Sequence, residues 1–190
     1  MKTLSTLLFA LLAISAGSVH AAAADEHHKA YAGRLVCGGN HFVRASGTEM
    51  HFTAYVLRNL DDEGAIRIER IRLVDASGAT LADFTAPRLP PFRNGLLGPG
   101  DDTLAPGQSG ILRTLDLVGL DGLPRSRRPL QLIVEWRAGD RALTLDAVAV
   151  HIARERRTVT GADGLPAVTL GSERSRHLNP CRTVYRQRWQ

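Results

Sequence analysis

Three scarcities bound this chain before any motif is read. Aromatic residues make up 5% of it, so the stacking platforms on which single-stranded nucleic acid lies are missing. Cysteine occurs twice, at Cys37 and Cys181, with no C-x-x-C spacing. That excludes a thioredoxin-type redox motif and the usual zinc-ribbon patterns. Beyond the first twenty-odd residues no apolar run approaches the roughly 20 residues of a membrane-spanning helix. Lysine is nearly absent as well, confined to Lys2 and Lys29, and the other basic residues are arginines. No H-E-x-x-H is present, and no segment after the N-terminal one has the 3.6-residue period of an amphipathic helix.

What is present begins with an address. Lys2 is followed by the uncharged run Leu4 to Ile14 and then by Ser18-Val19-His20-Ala21-Ala22-Ala23-Ala24. A short positive segment, an apolar core and a small-residue end are the marks of a secretory signal peptide. The expected signal is 1–24, with cleavage between 21 and 24, and no cysteine at the cleavage region offers a lipid anchor. Residues 25–190 suit a single exported domain in the periplasm or outside the cell. In such an oxidising compartment the isolated pair Cys37 and Cys181 is expected to be a disulfide tying the two ends of the domain together.

The apolar pattern after residue 30 has period two. Met50, Phe52, Ala54 and Val56 alternate with His51, Thr53 and Tyr55. Ile66 and Ile68 stand on one parity, Ile71 and Leu73 on the other, which requires a bulge near Glu69-Arg70 or a crossing between sheets. Asp75-Ala76-Ser77-Gly78 is turn chemistry. Ile111 to Val118 reads as a strand, and Leu130, Leu132, Val134 and Trp136 form the cleanest alternation, with Trp136 as a core anchor. Ala138-Gly139-Asp140 then turns the chain into a run from Leu143 to Ile152, within which the parity shifts again. From Arg154 onward the sequence reads as a polar C-terminal tail, with a short strand at Ala167 to Leu170. About seven short strands without helices predict an all-β, single immunoglobulin-like antiparallel β-sandwich.

One set of segments carries a resemblance. Leu57-Arg58-Asn59-Leu60-Asp61 is followed by Ile66-x-Ile68 and Asp75-x-Ser77-Gly78-x-x-Leu81. Leu104-Ala105-Pro106-Gly107-Gln108-Ser109 and Leu132-Ile133-Val134-Glu135-Trp136 come later. Over about residues 52–150 this order resembles a family of small exported bacterial proteins with an immunoglobulin-like sandwich. The resemblance implies a fold and a compartment and supplies no catalytic residue. The Cys-bearing ends and the long proline-rich insertion depart from the family's pattern.

The functional expectation is a non-catalytic binding or assembly module of the bacterial envelope. Gly107-Gln108-Ser109-Gly110 only approximates a nucleophile elbow and lacks the helix that the elbow needs. Acidic pairs Asp61-Asp62 and Asp101-Asp102 fall in turns. Residues 86–110, dense in proline and glycine, are the expected contact loop, with Phe92, Leu96 and Leu97 as apolar anchors for a partner. That partner is an envelope protein or an anionic surface. Arginine clusters such as Arg125/Arg127/Arg128 and Arg154/Arg156/Arg157 read as a solvated cationic surface or as contacts for an anionic partner, lipid headgroups or an acidic protein, and nucleic acid is not expected. The alternative is a periplasmic copper-binding protein. A mature chain starting at Asp25 would present its amine, Asp25, Glu26 and His27 to Cu(II) in a square-planar set, with His28 in reach. Surface histidines His41, His51 and His151 are the other candidate ligands.

Overall fold

The computed structural model describes residues 31–43, 48–118, 127–139, 143–160 and 164–187. The signal segment and Asp25, Glu26, His27 and His28 lie outside them, as do Asp140 and Trp189. Within them the chain forms two packed antiparallel sheets. The strands are β1 (Tyr31–Gly38), β2 (Phe42–Val43), β3 (Glu49–Asn59), β4 (Ile66–Asp75), β5 (Thr80–Thr85), β6 (Thr103–Leu104) and β7 (Ser109–Arg113). A short helix, α1 (Thr114–Val118), leads to β8 (Pro129–Ala138), β9 (Leu145–Thr160), β10 (Pro166–Pro180) and β11 (Arg182–Gln187).

One sheet runs β11-β1-β8-β4-β5, with β6 also on β4; the other runs β10-β9-β3-β2, with β7 also on β3. In an immunoglobulin domain the second and fifth strands pair in one sheet and the third and sixth in the other. The pairs β3–β7 and β4–β8 reproduce that core. The terminal strands are exchanged relative to it: β1 lies beside β8, and β9 lies beside β3.

The sandwich expected from sequence is present, but with eleven strands among the described residues rather than seven. The two-residue strands β2 and β6 have no period to read. The region expected as a polar tail from Arg154 instead holds the end of β9 together with β10 and β11. The β9–β10 pair runs past Glu49, where β3 begins, so among the described residues its outer part has no third strand. Ile111 to Val118 is a strand only to Arg113.

In β4 the ladder to β8 slips between Ile68 and Arg70, and Ile66, Ile68, Ile71 and Leu73 are all fully buried. The bulge therefore turns both apolar pairs inward. In β9 no bulge exists opposite β3: the register runs unbroken from Leu145 to Glu155. Leu145, Ala147 and Ala149 face the core, and Val148 and Val150 face out. In β3 the inward face is Thr53, Tyr55 and Leu57. Both parities of β3 are apolar, so the period alone could not choose between them.

Trp136 is fully buried at the centre of the core, as expected. Its indole lies against Gly33 of β1, where a Cβ would come within 2.3 Å of Cζ2. Cys37 and Cys181 are bonded, with an S–S distance of 2.04 Å. Cys181 is the single residue between β10 and β11, where the chain crosses from one sheet to the other. The bridge fastens that crossover to β1, and the Cys181 N–H donates to the Ala147 carbonyl at 3.0 Å.

Candidate functional site

The loop expected to contact a partner is part of the core. Phe92 is 4% exposed and Leu97 2%, both packed in the main apolar cluster, and Leu96 is half-buried. This corrects the assignment of Phe92 and Leu97 as outward anchors; Leu96 keeps a partly exposed side chain. The reason is local. Gly110 has no side chain, and a Cβ there would come within 2.8 Å of the Phe92 ring. The Arg93 N–H donates to the Ile111 carbonyl at 2.7 Å, and the Asn94 side-chain amide donates to the Ser109 carbonyl at 2.5 Å. Residues 92–94 thus extend the hydrogen bonding of β7 and swing Phe92 inward. Arg93 and Arg113 both pair with Asp116 of α1, at 3.2 and 2.9 Å. Burial raises the Asp116 carboxyl, and Arg93 opposes that shift.

The segments that carry the family resemblance meet in space. Asn59 is fully buried, and its amide donates to the carbonyls of Gly64 at 2.7 Å and Leu104 at 3.1 Å. Asp61 Oδ1 accepts from the N–H groups of Gly64 and Glu63, which hold its carboxyl below the usual range. The Asp61 carbonyl accepts from Gly107 N–H, and the Gln108 carbonyl accepts from Asn59 N–H. The Arg-Asn-x-Asp and Leu-x-Pro-Gly-x-Ser segments therefore form one structural clasp. Asp75 has a similar role, accepting at Oδ1 from Ser77 and Ala79.

The histidines separate into two settings. His41 is 1% exposed, with Nδ1 3.4 Å from Thr114 Oγ1, and burial pushes it below its ordinary value. It is a packed residue of the β2 edge. His51 and His151, by contrast, come together. His51 Nδ1 lies 3.2 Å from His151 Nε2, and His51 Nε2 lies 2.7 Å from Glu49 Oε1. Phe42 leans on His51 at 5.9 Å between ring centroids, and Arg128 covers Phe42 at 4.3 Å. The expectation of an exposed sheet-face His51 fails because β3 turns its odd-numbered positions inward. Beyond the end of the core those positions form a half-covered shelf.

The outer faces of the two sheets differ in kind. On the six-stranded sheet Glu135 accepts from Arg34 at 3.2 Å and Arg72 at 2.9 Å. Arg70 pairs with Asp83, Arg67 with Asp102 and Arg137 with Glu69. These pairs occupy part of the chain's arginine excess. On the five-stranded sheet an apolar row crosses four strands: Ile111 is registered opposite Val56, Val56 opposite Val148, and Val148 opposite Pro180. Val150 adjoins it, and a groove of about 320 Å³ lies among Val56, Arg58, Val148, Val150 and Pro180. Ile111 is 36% exposed. Arg58 with Asp146 closes one side of the row. On the other side Arg113 and Arg154 cover the Phe52 ring at 5.7 and 5.2 Å. Sequence reading missed this patch because it took Val148 and Val150 for a shifted core face. The row exists only through the pairing of β7, β3, β9 and β10.

Family models, curated proteins and solved structures alike give no match to this chain. No helix among the described residues is long and apolar enough to cross a membrane.

Proposed function

We propose that this is an exported, non-catalytic binding module of the bacterial envelope, and that the outer face of the five-stranded sheet is its contact surface. The observation that carries the reading is the contrast between the two outer faces. One sheet presents crossed arginine–carboxylate pairs, and the other presents Ile111, Val56, Val148 and Pro180 in a row. A contiguous apolar strip with a polar rim is the usual mark of a protein contact site. Its rim pairs, Arg58–Asp146 among them, suit a partner with an apolar centre and charged borders. The N-terminal signal pattern and the disulfide support an exported location.

The test is site-specific photocrosslinking in envelope extract. A photoreactive residue at position 111 is expected to give a discrete adduct, and one at exposed Arg67 on the opposite sheet is not. Ile111→Asp is expected to abolish the adduct made from a probe at position 148, with an unchanged melting temperature. Equal labelling from positions 111 and 67 would refute the assignment of the face.

A further inference from the structure

We propose that His51 and His151 form a binding site for a borderline divalent transition ion such as Zn(II), with Glu49 as a positioning residue. This goes beyond the protein-contact reading and uses a different face. Thr53 is registered opposite His151, and His51 opposite Ala153, so the two histidines are diagonal neighbours on one face of the sheet. Two imidazole nitrogens each about 2.0–2.1 Å from a metal stand about 3.1–3.4 Å apart at ligand angles of about 100–110°. The observed separation between His51 Nδ1 and His151 Nε2 is 3.2 Å. The ring centroids lie 5.4 Å apart with planes inclined by 30°, so the two nitrogens face one another, and a small rotation of the rings turns both lone pairs onto one ion.

Glu49 supplies the second half of the argument. Its Oε1 accepts from His51 Nε2–H at 2.7 Å, which leaves the Nδ1 lone pair pointing at His151. A carboxylate on the far nitrogen of a ligating histidine fixes its tautomer and raises its basicity. It also adds negative charge beside a bound cation. The side chains of His51 and Glu49 are 21% and 33% exposed, so an ion can reach the site from solvent. His51 Nδ1 and His151 Nε2 face each other within hydrogen-bond distance, and a shared ion replaces that contact. Among the described residues no group of three histidine, cysteine or carboxylate side chains is placed to share one ion. The site therefore offers two protein ligands and leaves its remaining positions to water or an incoming ligand.

The experiment is calorimetric titration of the exported chain with Zn(II) in a weakly coordinating buffer. It is run in a His27→Ala background to remove the N-terminal candidate. One equivalent is expected to bind. His51→Ala and His151→Ala are each expected to weaken binding by at least about tenfold, and Glu49→Gln by about 10- to 100-fold. Binding that is absent in the parent, or unchanged in the two histidine variants, would overturn the proposal. A readout on the unsubstituted pair covers the case in which a variant does not fold. Zn(II) is expected to protect His51 and His151 from diethylpyrocarbonate, mapped by mass spectrometry, and unchanged modification of both would likewise overturn it.

Discussion

Replacing Phe92 with alanine separates a core-capping loop from a presented one. Phe92 is 4% exposed and lies over Gly110, beside Leu97. Its removal deletes a ring from a site walled by the β7 backbone. The pairs Arg93–Ile111 and Asn94–Ser109 hold the loop in place and limit collapse into the vacated space. A buried phenylalanine truncated in such a setting costs about 3–5 kcal/mol. For a domain of about 150–250 residues each kcal/mol moves the melting temperature by about 2–4 °C. The expected drop is therefore about 6–20 °C, read by circular dichroism on the oxidised protein. Leu96→Ala, at a half-buried neighbour, is expected to cost clearly less than Phe92→Ala. A Phe92→Ala protein that melts within about 2 °C of the parent would refute the capping role, because no relaxation at this site could recover so much.

Three further outcomes are expected. Reducing the Cys37–Cys181 bond, or replacing both residues with serine, releases a loop with a sequence separation of 144; it should lower stability by up to about 5 kcal/mol in urea denaturation. Gly33→Ala should destabilise the fold by about 1–3 kcal/mol, because its Cβ would overlap the buried Trp136 indole; a neutral result in thermal melting would show that the indole can move. Asp61 and Asp75 are both held below the ordinary aspartate value, Asp61 chiefly by the Gly64 N–H and Asp75 chiefly by Ser77. Their stabilisation is thus complete above about pH 4 and is lost as the pH falls through their lowered values. Asp75→Asn should accordingly be less stable than the parent at neutral pH, with the gap closing on acidification.

The Asp75 turn and much of the core could be read along the chain. Asp75-x-Ser77-Gly78 is a turn because its side chains bond their own backbone, a local property that survives any tertiary context. The parity break in β4 required a bulge or a crossing, and the bulge was found because four isoleucine and leucine side chains have one core to enter. The candidate site was less legible. His51 and His151 are 100 residues apart, and no spacing rule joins them until β3 and β9 are paired.

The sequence by itself determined the strand period, the turns, the pairing of its two cysteines and the burial of Trp136. Each of these depends on neighbours in the chain or on there being one partner of its kind. Tertiary structure decided which face of β3 and of β9 points inward. Both faces of each strand carry apolar residues, and a one-residue choice exchanges them completely. Tyr55 and Leu57 enter the core, and Ala149 and Ala147 are registered opposite them on β9. That packing choice puts Val56 and Val148 on the outside and brings His51 to His151.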